Sequence, residues 1–178
     1  MSRTVFNALA LIALVTLLGG CGLAQSVTDA TTSATEAIFY KQVKTLRLDL
    51  SARTAMNTDA TDMNAMSVPT LVRVYQLRDN KRLDKATYDH LLGDGASVLG
   101  ADLLDEHAQV VRPGEGVQLN LPLNNDTQAV AVVALFRDPE SSGNSWRLLL
   151  TRDDLDPERP RVIELGDNRL TLRPLTRD

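Results

Sequence analysis

The single cysteine of this 178-residue chain, Cys21, is the residue with the most definite chemistry. It follows an apolar run at residues 8–18, which is itself preceded by the positive charge of Arg3 and the amino terminus. That run is shorter than the roughly 20 apolar residues that a permanent membrane helix needs. Positive charge, a short apolar run and then small residues are typical of an export signal. The sequence therefore predicts a signal peptide over residues 1–20, cleaved before Cys21.

The segment Leu18-Gly19-Gly20-Cys21 resembles the lipobox of bacterial lipoproteins. In that motif the thiol receives a diacylglyceryl group before cleavage, and the cysteine becomes the acylated first residue. A lone cysteine cannot form a disulfide within the chain, so lipid is its best use; the alternative is an ordinary secretory signal near a structural cysteine. Several acyl chains give stable anchoring, since each buried methylene contributes about 0.8 kcal/mol. We expect covalent lipid on Cys21 and no cofactor.

The residues after Cys21 suit a tether, because residues 22–35 are small and polar, although they could also join a helix that runs to Tyr40. In enteric bacteria an Asp after the lipidated cysteine favours the inner membrane. Here Gly22 occupies that position, so the resemblance implies the outer membrane and its periplasmic face. The predicted organisation is a signal peptide over residues 1–20, a lipidated tether over 21–42 that is helical in part or not at all, and a folded domain over 43–178.

The two histidines, His90 and His107, are the best candidates for metal binding or catalysis, and they make a thin case. A zinc site needs three or four converging ligands, and neither an HExxH motif nor a paired cysteine spacing is present. The chain also lacks a Gly-x-Ser-x-Gly elbow, and its carboxylates sit in polar turns or on exposed faces. We expect no metal, no catalytic residue and no enzymatic activity.

Composition limits the partners. The chain has 43% hydrophobic and 24% charged residues, enough for a packed core, and a net charge of −4. Loss of residues 1–20 removes one Arg and leaves a net charge of −5. Nucleic acid is an improbable partner, because a phosphate backbone requires a concentrated positive face.

From residue 43 onward, short alternating apolar stretches predict strands with one buried face. The predicted strands span residues 43–50, 68–77, 107–111, 117–123, 128–137, 146–152, 161–165 and 169–175. Residues 81–105 show helical spacing instead, and Gly93 and Gly95 are expected to break that helix. Together these elements predict an all-β fold, an antiparallel β-sandwich with a short helical insertion.

The connection at residues 54–67 is long for a strand-to-strand turn, and such connections are often functional. It carries three methionines, whose flexible thioethers adapt to partner surfaces. Two readings stay open: a binding loop, or methionines that fold back over the open end of the sandwich. Trp146 and Phe136 could stack on a sugar, but in a domain with so few aromatics we expect them in the core.

The order of these features resembles the TssJ family, the outer-membrane lipoproteins of type VI secretion systems. The resemblance spans roughly residues 43–175 and rests on the order and spacing of several blocks. They are the lipobox, the strand Val68-Pro69-Thr70-Leu71-Val72-Arg73-Val74-Tyr75-Gln76-Leu77, the helical Tyr88-Asp89-His90-Leu91-Leu92, Leu99-Gly100-Ala101-Asp102-Leu103, Val111-Arg112-Pro113-Gly114-Glu115, residues 130–137 and Trp146-Arg147. One departure is Met56-Asn57-Thr58, which stands where the family loop often reads Leu-Asn-Pro with a glycine before the next strand.

The resemblance implies a transthyretin-like β-sandwich that binds the periplasmic C-terminal domain of the inner-membrane protein TssM, in a complex with TssL. In that family the loop between the first two strands contacts TssM. Carried onto this chain, the loop is residues 54–67, and the expected contact residues are Met56, Asn57, Asp59, Asp62, Met63 and Met66. The membrane, contacted through the lipid anchor, is the other expected partner. Neither nucleic acid nor a small-molecule substrate is expected.

A second function remains open at this stage: a periplasmic lipoprotein whose sandwich binds a small ligand or a carbohydrate. Genomic neighbourhood would separate the two, because components of a secretion system are usually encoded together. The residues favour the first function, since they offer an anchor, a tether and a long loop but no cluster of aromatic or converging polar groups.

Overall fold

The computed structural model describes residues 43–59, 66–140 and 143–175, all of which belong to the unit Gln42–Asp178. The predicted signal peptide at 1–20 and the predicted tether at 21–42, with Cys21, lie outside the described residues. Asp62 and Met63 of the predicted contact set do so as well.

Eight strands and two helices form in the described part of the chain. They are β1 (Thr45–Ala52), β2 (Thr70–Leu77), α1 (Lys81–Lys85), α2 (Tyr88–Leu99), β3 (Leu103–Val111), β4 (Gly116–Pro122), β5 (Ala129–Leu135), β6 (Arg147–Thr151), β7 (Arg161–Gly166) and β8 (Arg169–Leu172). One sheet has the strand order β4-β1-β7-β8, and the other has the order β3-β2-β5-β6. The predicted sandwich and its helical insertion are confirmed.

One pair of strands departs from the predicted antiparallel arrangement. β1 and β7 run parallel, with Leu48 opposite Arg161 and Ala52 opposite Leu165. Parallel neighbours need a long crossover connection, and here all of the β3-β2-β5-β6 sheet lies between the two strands along the chain. The period-2 pattern reports which face of a strand is buried, and it carries no information on strand direction.

Different connections lie at the two ends of the sandwich. At one end, the tether end, the chain enters β1 through residues 43–44, and the Leu123 amide donates to the Lys44 carbonyl at 2.9 Å. The β4–β5 connection at residues 123–128 lies at this same end, because β1 and β4 pair antiparallel from Thr45 opposite Pro122. At the other end, the loop end, β1 finishes beside the start of β4 and the end of β7. The β1–β2 loop, residues 53–69, leaves from there.

The helices pack on the outer face of the β3-β2-β5-β6 sheet, and of its two central strands β5 is wholly apolar and almost fully buried, whereas β2 includes the polar residues Thr70, Arg73 and Gln76. Close packing needs Gly95, since a Cβ there would lie 2.2 Å from the Tyr75 hydroxyl oxygen. Arg73 also reaches the helix, donating from Nη1 to the Leu91 carbonyl at 2.9 Å. Burial raises the pKa of Tyr75, although the hydrogen bond from Arg73 acts against that rise.

The predicted helix over residues 81–105 is wrong in its extent, but its predicted break at Gly93 and Gly95 is confirmed. Two helices form, and residues 103–105 belong to β3. Gly93 and Gly95 flank Asp94, whose backbone is not helical (φ −119°, ψ 82°), so α2 consists of two helical pieces joined across a kink. The Asp94 carboxylate restarts the helical pattern by accepting from the Ser97 amide at 3.1 Å. The low helix propensity of the two glycines accounts for the position of this break.

Trp146 and Phe136 lie in the core, which confirms the expectation for both side chains. The ring of Tyr88 packs edge-on against Trp146, with centroids 5.2 Å apart and planes at 80°. The Tyr88 hydroxyl donates to the Phe136 carbonyl, and Arg147 lies 5.1 Å from the centroid of the Trp146 ring. These contacts fix the start of α2 to the sheet and leave no indole face open to a ligand.

Candidate partner-binding surface

The first residues of the β1–β2 loop are joined by backbone hydrogen bonds to two neighbouring turns. The Arg53 amide donates to the Leu165 carbonyl at 2.8 Å, and the Arg53 carbonyl accepts from Gly114 at 3.2 Å. Two residues further on, the Ala55 carbonyl accepts from the Asp167 amide at 3.2 Å. Every one of these bonds joins residues far apart in sequence, so the start of the loop is fixed by the fold rather than by local turn chemistry.

Met56 and Asn57 hold the two sides of the loop together at its base. Met56 is 0% exposed and its amide donates to the Ser67 hydroxyl at 3.3 Å. Asn57 is 2% exposed; its Nδ2 donates to the Pro69 carbonyl at 3.2 Å and its Oδ1 accepts from the Arg137 amide at 2.6 Å. For Met56 the alternative reading holds, because this methionine folds back into the core. Neither side chain presents a surface to a partner.

Asn57 also has an uncommon backbone conformation. Its backbone has φ 51°, in the left-handed region, which asparagine tolerates better than most residues. The buried amide contacts of its side chain stabilise that conformation. The loop therefore makes this turn at Asn57 without a glycine.

A second asparagine, Asn168 in the β7–β8 turn, hydrogen-bonds through its side chain to both backbone groups of Thr58, the next residue of the loop. Its Oδ1 accepts from the Thr58 amide at 2.9 Å, and its Nδ2 donates to the Thr58 carbonyl at 2.7 Å. Nothing in the spacing of the sequence pointed from Asn168 across 110 residues to Thr58. Asn168, Ser67 and Arg137 are therefore functional supports that sequence reasoning missed.

Charged groups surround the base of the loop. Glu164 contacts Arg53 and lies 2.7 Å from Arg173. These two guanidinium groups hold the pKa of the Glu164 carboxyl below its usual range, and the hydrogen bond from Arg173 has the larger effect. Arg53 also lies 3.6 Å from Asp167. On the other side, Arg137 lies 3.5 Å from Asp59. The loop thus leaves the sandwich between these ion pairs.

The predicted contact residues divide into supports and presented groups. Met66 is 64% exposed, a large apolar side chain in water, and Asp59 is partly exposed beside Arg137. Met56 and Asn57 support the loop from below. Asp62 and Met63 belong to the part of the loop that the structure does not describe. Partner binding by this set stays a prediction.

The histidines take structural positions. The His90 amide and imidazole form a capping box with Thr87 at the start of α2, at 3.4 and 3.5 Å. His107 lies on β3 opposite Val74. Within residues 43–59, 66–140 and 143–175, no three His, Cys, Asp or Glu side chains are grouped so that they could hold a metal ion.

A groove of about 690 Å³ lies between the helices and the β5–β6 connection, and it is the natural place for the alternative function. Tyr88 and Leu92 contribute apolar surface, while Arg147 is already engaged by the carbonyls of Leu83 and Ala86 at 2.6 and 3.2 Å. Trp146 lines it at 1% exposure. The groove is open and mixed in charge, and it offers no free aromatic face on which a sugar could stack.

The fold and this loop define a class of protein: a β-sandwich with a long loop, anchored at its base, at the end opposite its amino-terminal connection. One family model matches residues 44–171, that of the type VI secretion lipoproteins VasD, EvfM and TssJ. The match spans well over half of the chain, and the chain belongs to this family. No curated protein matches it significantly.

Solved structures agree. A chain of a structure described as a type VI membrane complex is 38% identical, with a TM-score of 0.70; the match covers 75% of this chain and 100% of that one. A chain of the structure described as the T6SS protein TssM C-terminal domain (869–1107) from EAEC is 37% identical, with a TM-score of 0.67 and coverage of 75% and 100%. The T6SS lipoprotein TssJ1 from Pseudomonas aeruginosa is 25% identical, with a TM-score of 0.61 and coverage of 76% and 100%.

Family membership makes this protein a membrane-anchored structural lipoprotein of the secretion system. Across the described residues, the helices are all too short or too polar to cross a bilayer.

Proposed function

We propose that this protein is the outer-membrane lipoprotein of a type VI secretion membrane complex, and that its β1–β2 loop binds the periplasmic C-terminal domain of TssM, itself in complex with TssL. Lipid on Cys21 anchors it, and the sandwich faces the periplasm. The protein works through protein contacts, without catalysis and without a cofactor other than its covalent lipid.

The comparisons support TssM as the partner. The structure described as the TssM C-terminal domain, residues 869–1107, contains a chain whose whole length aligns with 75% of this 178-residue chain. That matched chain is shorter than the TssM stretch, so the two are different polypeptides in one structure. The other strong match comes from a structure described as a type VI membrane complex.

The single observation that carries the role of the loop is its position. β1 begins at the tether end and finishes at the loop end after eight residues, a rise of about 26 Å. A domain held by lipid at its amino terminus therefore presents the β1–β2 loop away from the anchored end. The base of the loop is fixed by Asn57 and Asn168, which reduces the ordering cost of binding.

The test measures binding of the detergent-solubilised lipoprotein to the periplasmic domain of TssM from the same organism. One variant replaces residues 59–66 with about four Gly and Ser residues, which leaves Met56, Asn57 and Ser67 in place. A matched variant, Met66→Ser, alters one exposed side chain only. We expect saturable binding by the native protein, a loss of about tenfold or more with the shortened loop, and a smaller loss with Met66→Ser.

Two results would count against the proposal in different ways. Absence of binding by the folded native protein would remove TssM as the partner. Binding of undiminished affinity by the shortened variant, with an unchanged melting temperature, would keep the partner and discard the loop.

A further inference from the structure

The free edges of the two sheets are β4 and β8 in one and β3 and β6 in the other. The β6 and β8 edges meet, since the Leu170 amide donates to the Ser145 carbonyl at 2.7 Å beside them. β4 ends in Pro122, which a neighbouring strand cannot use as a donor. β3 is nine residues long, the longest strand among the described residues, and it contains no proline.

The two halves of β3 differ in their protection against strand pairing. Natural edge strands are usually guarded by charges, prolines or bulges. The half near the tether end has Asp105 and Glu106, and its register with β2 shifts between Gln76 and Leu77. The half near the loop end, His107–Val111, has no acidic or basic side chain other than histidine and no irregularity in its register. One half of the edge is guarded, and the other is open.

The open half presents free backbone groups together with apolar side chains. The Gln109 side chain donates to the Val110 carbonyl at 2.8 Å, so this carbonyl points away from β2. In an antiparallel ladder, the N–H and C=O of one residue point to the same side and every second residue repeats that direction. Ala108 and Val110 therefore direct their backbone groups outward. Both side chains are exposed, and Val110 is 47% exposed.

Val110 begins an apolar row across the outer face of the sheet. Leu71 of β2 lies opposite Val110 on one side and opposite Leu135 of β5 on the other, and both leucines are partly buried. The adjacent pair, Thr70 with Val111, lies directly after the last residue of the β1–β2 loop. The open half of β3 is thus continuous with the surface that the loop presents.

We propose that the same protein partner adds a β-strand to β3 at Ala108–Val110, which extends the β3-β2-β5-β6 sheet by one strand. This inference rests on the proposed function. The strand that fits has small or apolar residues beside Ala108 and Val110, and a lysine or arginine toward Asp105 and Glu106. Its N–H group replaces the Gln109 side chain on the Val110 carbonyl, and its main chain provides affinity while the apolar row provides specificity.

The test compares variants of the full lipoprotein in detergent for binding to the TssM periplasmic domain. Ala108→Pro removes one outward N–H and leaves the ladder with β2 intact, and Val110→Lys adds a guarding charge at the edge. Gln118→Lys, at an exposed position on the β4 edge, makes a matched change elsewhere. Hydrogen exchange of the segment 108–110 is followed with and without partner.

We expect both β3 variants to lose about tenfold in affinity or more at unchanged melting temperature, and Gln118→Lys to bind as the native protein does. Exchange at Ala108 and Val110 should slow only in the complex. Native-like affinity of a folded Val110→Lys, with unchanged exchange at 108–110 in the complex, would overturn the inference while leaving loop binding intact. So would a Val110→Lys variant that only abolishes self-association, since the strand would then come from a second copy.

Discussion

Hydrogen bonds from a buried side-chain amide hold the connections at both ends of the sandwich, but they hold the whole connection at the tether end and only the base of the loop at the loop end. At the tether end, buried Gln76 makes four hydrogen bonds: its Nε2 donates to the Pro122 carbonyl at 2.8 Å and to Asp105 at 3.2 Å, and its Oε1 accepts from Asn124 at 2.8 Å and Thr127 at 3.1 Å. At the loop end, Asn57 bridges two segments with its own amide group.

The two ends differ in how much of each connection is held by hydrogen bonds. Arg152 completes the tether end, donating to the carbonyls of Thr127, Asn124 and Asn125 at 2.5, 3.1 and 3.0 Å, so that the short β4–β5 connection is held throughout. Asn57 and Asn168 hold only the base of the β1–β2 loop, and exposed groups such as Met66 lie beyond the anchored residues. A connection that is fixed throughout stabilises the domain, and one that is fixed at its base presents a surface at low entropic cost.

The largest expected effect is on stability, at the tether end. Gln76→Leu removes four hydrogen bonds and leaves the Asn124 amide and the buried Thr127 hydroxyl without this partner, so we expect a loss of about 3 kcal/mol in the free energy of unfolding. Urea denaturation measures it, with Gln118→Leu on the exposed β4 edge as control. A loss below about 1 kcal/mol would mean that the network is not what holds this end.

A smaller loss is expected at the loop end, together with weaker binding. Asn57→Ala removes two hydrogen bonds and places alanine at φ 51°, so we expect a loss of about 2 kcal/mol in unfolding free energy. Asn57→Gly keeps the left-handed conformation and loses only the bonds, so it should be more stable than Asn57→Ala by about 1 kcal/mol. Equal losses in both variants would show that backbone conformation contributes nothing at this turn. TssM affinity should fall in both variants.

The smallest effect is expected from pH, and again at the loop end. The folded-state pKa of Glu164 is lowered by Arg173 and Arg53, so its stabilising contribution is full above the unfolded-state pKa and is lost as the pH falls through the folded value. Melting temperatures of the native protein and Glu164→Gln should therefore converge on acidification from about pH 6 to pH 3. A constant difference across that range would exclude the carboxylate as the cause.

Much of the fold could be predicted from the residues, because strands with one buried face show a period of two. Residues 43–50 and 161–165 were recognised as strands in this way, but their parallel pairing depends on the path of everything between them. The break in α2 could be predicted from Gly93 and Gly95, because the low helix propensity of glycine is a local property, and the kink lies at Asp94 between them.

The candidate surface was predictable in position but not in its internal roles. A long loop with three methionines indicates an interface, yet Met56 is buried and Met66 is exposed, and the composition of the loop treats them alike. Asn57 was predicted to touch a partner, whereas its side chain serves Pro69 and Arg137. Such contacts join residues 12 and 80 positions apart, and local patterns do not record them.

The central position of β1 in its sheet has a mechanical consequence. β1 lies between β4 and β7, and in the proposed arrangement the lipid anchor pulls on its first residue while the partner pulls beyond its last. Load along a central strand shears the hydrogen bonds on both of its sides together, whereas load across an edge strand opens them one after another. Single-molecule pulling along β1 should therefore require a higher rupture force than pulling across β8. The strand that joins anchor to partner is the one best placed to bear tension across the cell envelope.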